Sequence, residues 1–359
     1  MKILLSSAVL INSILLLFSL VNAFSIRRAT ESGSTLKSFS LLIPCRNEDE
    51  NIEDLVANLA ALSHPQHEII FINDNSSDQT FQLLTAATSK ISKMRVIDAP
   101  PLPSGWMGKP WALQQGLGVA KNEFIVTIDA DVRLTASALE SVDLLLVQSG
   151  LDFTSPYPAQ NAVTLPERLI QPLLQWTWMT TVPLRIAEKS SRPSLAVANG
   201  QFFFIRHSAL TAIGGFSSIK NCVLDDIELA RALLRNGFKG GVSDGSKISH
   251  TRMYSSFSQI RSGYAKSLSI ALGGIFGSTL LISLLMVTGI LPFLLAFSGS
   301  ELAAVALLIG VASRIVSAAS TRGVVIDSFL HPISSLFFIY LIIYSLFFRS
   351  RITWKGRSV

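Results

Sequence analysis

Residues 3–24 carry no charged side chain and lie between Lys2 and the pair Arg27-Arg28. About 20 apolar residues are enough to cross a bilayer's hydrocarbon core, so this run limits what the chain can become. It predicts a membrane anchor over residues 1–26. The competing expectation is a cleaved signal peptide, because Val21-Asn22-Ala23 offers a small-x-small site. Further apolar runs near 278–298, 302–320 and 329–348 favour the anchor and predict transmembrane helices over 266–349. The chain of 359 residues is 49% hydrophobic and only 15% charged, too apolar for an ordinary soluble enzyme. Its net charge of +6 is spread beside the apolar runs, with Arg27, Arg28 and Lys37 after the first and Arg349, Arg351, Lys355 and Arg357 after the last. That placement fits a bilayer surface, and no nucleic-acid-binding motif accompanies it. Cys45 and Cys222 make neither a disulfide framework nor a metal spacing.

Basic residues beside the first anchor place the following domain in the cytoplasm. The basic tail, 350–359, asks for the same side, which three C-terminal passes do not give. A re-entrant segment, or a further pass using Leu268 to Gly277, would reconcile the two. Residues 166–186 hold Trp176 and Trp178 among aliphatic residues but also Pro172 and Pro183. They read as an interfacial helix or, alternatively, a core helix.

Between the apolar ends the pattern is α/β. Phe39 to Ile43, Glu68 to Asn73, Arg95 to Asp98 and Phe124 to Ile128 are short apolar runs with strand character. Asn51 to Leu62, Asp78 to Lys90, and a segment from Pro110 have helical spacing. Alternation of this kind predicts a mostly parallel, doubly wound sheet over 38–265.

One strand end stands out. Asp129-Ala130-Asp131 closes the 124–128 run and sets two carboxylates at the sheet rim, where open α/β sheets bind ligands. A divalent cation, Mg²⁺ or Mn²⁺, would bridge such oxygens to a diphosphate. A solvated turn is the plainer alternative. Asp225-Asp226 opens a second acidic site at the start of a helix running to Arg235, where acids also suit the helix dipole.

Four stretches together resemble the family 2 glycosyltransferases. They are Pro44-Cys45-Arg46-Asn47-Glu48, Asn73-Asp74-Asn75-Ser76-Ser77-Asp78, Asp129-Ala130-Asp131 and Leu224-Asp225-Asp226-Ile227-Glu228-Leu229. Asn73 departs from the family's usual acid. Leu102-Pro103-Ser104-Gly105-Trp106-Met107-Gly108-Lys109, Ala198-Asn199-Gly200-Gln201, Arg252-Met253-Tyr254 and Gly263-Tyr264-Ala265-Lys266 are similar to loops of membrane enzymes that glycosylate carotenoids and hopanoids. The hydroxychlorobactene glucosyltransferase type comes first and the hopene-associated glycosyltransferases next. Gln259-Ile260-Arg261-Ser262 lacks the Trp of the processive Gln-x-x-Arg-Trp motif, which implies transfer of one sugar.

The resemblance implies a nucleotide-diphospho-sugar transferase (GT-A, Rossmann-like) domain with transmembrane helices. It implies inverting transfer of one hexose, glucose from UDP-glucose, to a membrane lipid such as a carotenoid. Hopanoid, sphingoid or polyprenyl-phosphate acceptors are alternatives, as is a non-catalytic scaffold with the same fold. The polyprenyl-phosphate reading needs a second basic site, which the sequence does not display. Asp226 falls on the family's base. Asp131 and Asp129 fall on its metal motif, with Mg²⁺ or Mn²⁺ as cofactor. Arg46, Glu48, Asp74, Lys109, Asp129, Asp225 and Arg252 fall on or beside donor-binding positions. His250 is a candidate third metal ligand, although a lone strand histidine is more often structural. Trp106 and Trp111 either line an acceptor path or pack.

Overall fold

A computed structural model describes residues 1–30, 33–348, 353–354 and 357–358, so the basic tail falls largely outside the described residues. The chain forms two compact units. One comprises Arg27–Ala159 and Ile186–Arg252; the other comprises Met1–Ile26, Gln160–Arg185 and Met253–Val359.

The first unit is α/β. Its strands are β1 (Phe39–Cys45), β2 (His67–Asn73), β3 (Met94–Asp98), β4 (Phe124–Ile128), β5 (Val132–Leu134), β6 (Phe153–Tyr157), β7 (Phe202–Arg206), β8 (Gly240–Asp244) and β9 (Ser249–Thr251). Seven of them make one sheet in the order β3-β2-β1-β4-β7-β6-β8. β1 pairs in parallel with β2 and β4, β2 with β3, and β6 with β8. β7 runs antiparallel to both β4 and β6. All five β4 residues are buried, because helices cover both faces of the sheet. The period of two in β1 sends Leu41 and Ile43 to the face packed by Leu55, Leu59 and Val142. It sends Leu42 to the other face, with Leu113, Leu229 and Leu233.

The first strand runs two residues further than the sequence predicts, through Pro44 to Cys45. Its pairing with β4 ends at Leu42, whereas that with β2 continues through Pro44 opposite Ile72. A proline lacking an N–H is tolerated there, where one edge of the strand has already come free. β5 and β9 form a small antiparallel pair, with Val132 opposite Thr251 and Arg133 opposite His250.

The second unit is helical. Lys2–Ser25, Ile275–Ala296, Glu301–Ser320 and Val325–Phe348 are each long and apolar enough to cross a membrane. The Leu165–Thr181 helix belongs with them. Leu169, Ile170, Leu173 and Trp176 enter one apolar cluster with Leu15, Ile260, Leu341 and Ile342. Residues 160–185 and 253–265, expected in the α/β domain, therefore pack with the apolar helices, and 165–181 is a core helix of that unit. The stretch Leu268 to Gly277 is split between two helices at Gly273 and Gly274, whose φ values of 75° and 82° break the helical path. The Asn22 amide donates to the carbonyls of Met179 (2.9 Å) and Val182 (2.8 Å) and accepts from the Leu184 N–H (3.1 Å). The first helix is thereby stitched to the segment that Pro183 interrupts.

Candidate active site

The parallel strands β2, β1 and β4 end on one edge, so Asn73-Asp74, Arg46 to Glu48 and Asp129 to Asp131 emerge together. The antiparallel partner β7 begins beside them, since Phe202 pairs with Ile128. Asn199-Gly200-Gln201 therefore enters the same rim, where the Asp129 N–H donates to the Gln201 carbonyl at 3.0 Å.

Three aspartates, Asp129, Asp225 and Asp226, are gathered here around one lysine. Lys109, near the start of the Gly108–Leu117 helix, places Nζ 2.7 Å from Asp129 Oδ1 and 3.5 Å from Asp225 Oδ2. Burial alone would lower its pKa, but the Asp129 and Asp225 carboxylates outweigh that and hold it above the ordinary lysine range. The sequence offered Lys109 as a phosphate contact; the structure shows it joining the two acidic motifs.

Asp226 lies in the first turn of the Asp225–Arg235 helix. Its Oδ2 accepts from the Gly200 N–H at 2.9 Å, and its Oδ1 from the Ile227 N–H at 2.8 Å. The one carboxylate thus accepts from a loop amide and from an amide in the first turn of its own helix. Desolvation and the charge of Asp225 push its pKa up to about 6, against the pull of Lys109 and the two amides. Asp131 is also pushed up to about 6, by burial first, then by Asp129 and Glu48.

A turn clamp aims the second carboxylate motif. Asn51 Nδ2 and Arg133 Nη1 donate to the Ala130 carbonyl at 2.7 and 2.9 Å, and Arg133 also bonds the Asn51 side chain. The donor set fits a hard divalent cation, since Asp129 and Asp131 offer carboxylate oxygens amid surplus negative charge. Among the described residues no three His, Cys, Asp or Glu side chains group as a metal site. The protein would supply these two carboxylates, leaving other positions to diphosphate oxygens and water. His250, the candidate third ligand, lies on the exposed face of its strand. Alternation along β9 buries Ser249 and Thr251 and exposes His250.

The other sequence candidates divide. Glu48 acts on Asp131 by its charge. Arg46 Nη1 donates to the carbonyls of Asp74 and Asn75, each at 2.7 Å, so it braces the β2 loop. Asp74 is buried at the end of β2, its N–H donating to the Cys45 carbonyl at 2.8 Å. Asn73, in the family's acid position, bonds Asp98 at 2.6 Å instead. Arg252 is exposed after β9. Trp106 and Trp111 pack edge to face at 5.1 Å.

Sequence reasoning missed Asn51, Arg133 and Tyr157, and the reason for Gly200. Tyr157 is buried at the end of β6, and its phenol is pushed up by burial and by Asp226. A Cβ on Gly200 would lie 3.1 Å from Asp226 Cβ and 3.2 Å from Lys109 Nζ. A larger residue there would press on both side chains, so glycine suits this close approach of the N–H to the carboxylate.

This mixed sheet with acids at its carboxyl edge defines a GT-A fold. Residues 40–214 match the family described as Glycosyl transferase family 2. It is similar to the beta-monoglucosyldiacylglycerol synthase of Trichormus variabilis, with 28% identity over 208 residues, covering 55% of this chain and 42% of that protein. A shorter match, 38% identical over 96 residues, is to the poly-beta-1,6-N-acetyl-D-glucosamine synthase of Staphylococcus aureus, covering 27% of this chain and 22% of that one. The chain thus spans less than half the length of these curated relatives. Among solved structures it resembles the mannosyltransferase PcManGT of Pyrobaculum calidifontis, in complex with GDP-Man and Mn2+. That match has a TM-score of 0.56 and 14% identity over 96% of both chains, a likeness of fold.

Proposed function

We propose that the chain is an inverting glycosyltransferase that moves one glucose from UDP-glucose to the hydroxyl of a membrane lipid. The observation that carries this is the Asp226 carboxylate, held by the Gly200 N–H in the same rim as Asp129 and Lys109. In the reaction the acceptor oxygen bonds the anomeric carbon, the bond from that carbon to the diphosphate oxygen breaks, and the acceptor proton passes to Asp226. A carboxyl with a pKa of about 6 is ionised at neutral pH yet basic enough to take a proton as the new bond forms. A cation on Asp129 and Asp131 would neutralise charge on the departing diphosphate. Lys109 shares Asp129 and is placed to add its own charge to that oxygen cluster.

Two acceptor classes have support. The motifs around Trp106, Gly200 and Gly263 favour a carotenoid hydroxyl. Similarity to a glucosyldiacylglycerol synthase favours a diacylglycerol hydroxyl. Mass spectrometry of lipids from a host expressing the chain with each acceptor separates them. A new hexosylated carotenoid supports the first and a hexosyl-diacylglycerol the second; neither product, with donor consumed, sinks both.

The reading places the α/β unit in the cytoplasm, where nucleotide sugars are made, with the first helix retained as an anchor. Arg27, Arg28 and Lys37 support the side, and the Asn22 hydrogen bonds support retention. Protease digestion of sealed vesicles tests it: cleavage of this unit solely from the opposite face overturns the placement.

A further inference from the structure

The helical unit contains a charged cluster that sugar transfer does not use. Arg314 lies within the apolar Glu301–Ser320 helix and is 2% exposed. Its Nη1 has no hydrogen-bond partner among the described residues. Asp327 is the carboxylate within Coulombic range of it. That carboxylate is already held side-on by Arg168, whose Nε donates to its two oxygens at 3.0 and 3.1 Å. Two guanidinium groups therefore share one carboxylate, and the cluster keeps a surplus positive charge. An ionisable side chain inside an apolar bundle is costly to hold and is by default a sign of function.

The surplus faces a cavity. Arg314, Gln175, Asp327 and Ser328 line a space of about 20 Å³ in the helical unit, with Gly323 and Val324 also in its wall. That volume admits one oxygen-sized group. Gln175 Nε2 and Ser328 Oγ are also buried without partners among the described residues. Two N–H donors and a hydroxyl thus meet in a space with a single carboxylate, and that carboxylate is occupied. A guanidinium and an amide in the wall of one small volume suit an anionic oxygen, above all a phosphate oxygen.

The surroundings select the source. Val324, Val325, Ile326 and Phe329 are exposed on the short helix that carries Asp327 and Ser328, and Arg322 is exposed on the preceding turn. Apolar residues outside and a cationic group beside the cavity match a molecule with acyl chains and an anionic head. We propose that this cavity in the helical unit binds a phosphate oxygen of an anionic lipid headgroup. The inference goes beyond the transfer reaction and does not depend on it.

The test uses the full chain in detergent, titrated with phosphatidic acid, phosphatidylcholine and inorganic phosphate and read by native mass spectrometry. Phosphatidic acid is expected to be retained over phosphatidylcholine by about tenfold, the size of one charge-assisted hydrogen bond. Arg314→Gln should erase the preference, Arg314→Lys should keep part of it, and Gln175→Leu should weaken it. A thermal melt establishes that each variant is folded; if Arg314→Gln is not, the other two decide. Unchanged preference in the folded variants overturns the proposal. So does equal competition by inorganic phosphate, which would make this a free-anion site. Failure of every anion to bind also overturns it, leaving a cavity for one water. No donor sugar enters the assay, so its failure is separable from failure of the transferase reading.

Discussion

The two units concentrate charge in opposite senses. In the α/β unit three aspartates act on one lysine, and Asp131 and Asp226 are both pushed up to about 6, by burial first and by a neighbouring aspartate next. In the helical unit two arginines share one aspartate. Each cluster is left with a charge remainder, negative in one and positive in the other, which the two proposals assign to a cation with its diphosphate and to an anionic headgroup. The surroundings also differ. The acidic cluster opens at the polar rim of a sheet, whereas the basic one lies among helices apolar enough for a bilayer.

The largest expected effect tests whether the acidic remainder is catalytic. Asp226→Asn keeps the size of the side chain but cannot take the acceptor proton, so lipid glycosylation should fall by about 10²–10⁴. UDP-sugar affinity, measured alongside, should move little, since the metal and diphosphate contacts are assigned to Asp129, Asp131 and Lys109. Near-wild-type turnover in this variant would reduce Asp226 to a helix cap.

Next comes the cation itself. Asp131→Ala removes one of the two carboxylates placed for a metal, and metal-dependent donor binding should be lost with the thermal melt of the unliganded chain preserved. Titration calorimetry with UDP-glucose, with and without Mn²⁺, decides it. Tight binding that keeps its metal dependence would move the cation elsewhere.

A smaller effect sharpens the balance of charge around the base. With the Asp226 pKa near 6, transfer should rise through that pH and level off above it, because only the ionised form accepts a proton. Lys109 pulls that value down. Lys109→Met should therefore shift the rising limb to higher pH, apart from any loss of donor affinity. A limb that stays in place would show that the lysine serves the donor alone.

The comparison also explains what the sequence could and could not disclose. Asp129, Asp131, Asp225 and Asp226 were legible because each pair sits at a strand end or helix start, a local feature of neighbouring residues. The seven-stranded sheet was legible in outline for the same reason, since β4 and the Asp225–Arg235 helix have the predicted bounds. What escaped is tertiary. Asn51 and Arg133 meet at the Ala130 carbonyl from positions 82 residues apart. Gly200 reaches Asp226 from 26 residues away. The Leu165–Thr181 helix reads as interfacial because of Trp176 and Trp178, with Pro172 and Pro183 against a plain span, yet Trp176, Gln171 and Gln175 are all buried. The basic cluster of the helical unit was hidden because Arg314 looks like a stray charge in an apolar run until Asp327 and Arg168 are brought beside it.

The smallest effect has the least intuitive sign. Asp225 raises the Asp226 pKa by like-charge proximity, second only to desolvation. Asp225→Asn removes that charge and should lower the pKa of its neighbour. At about pH 7.5 the base is already ionised in the wild type, so the rate should change little; at about pH 5.5 the variant should carry more ionised base and run faster relative to wild type. The ratio of the two rates isolates this from any general loss, because the Asp225 contact to Lys109, 3.5 Å, affects both pH values alike. A rise in that ratio at the acid end places Asp225 as the residue that tunes the base. Loss of transfer at both pH values would exchange the roles of the two acids and make Asp225 the proton acceptor.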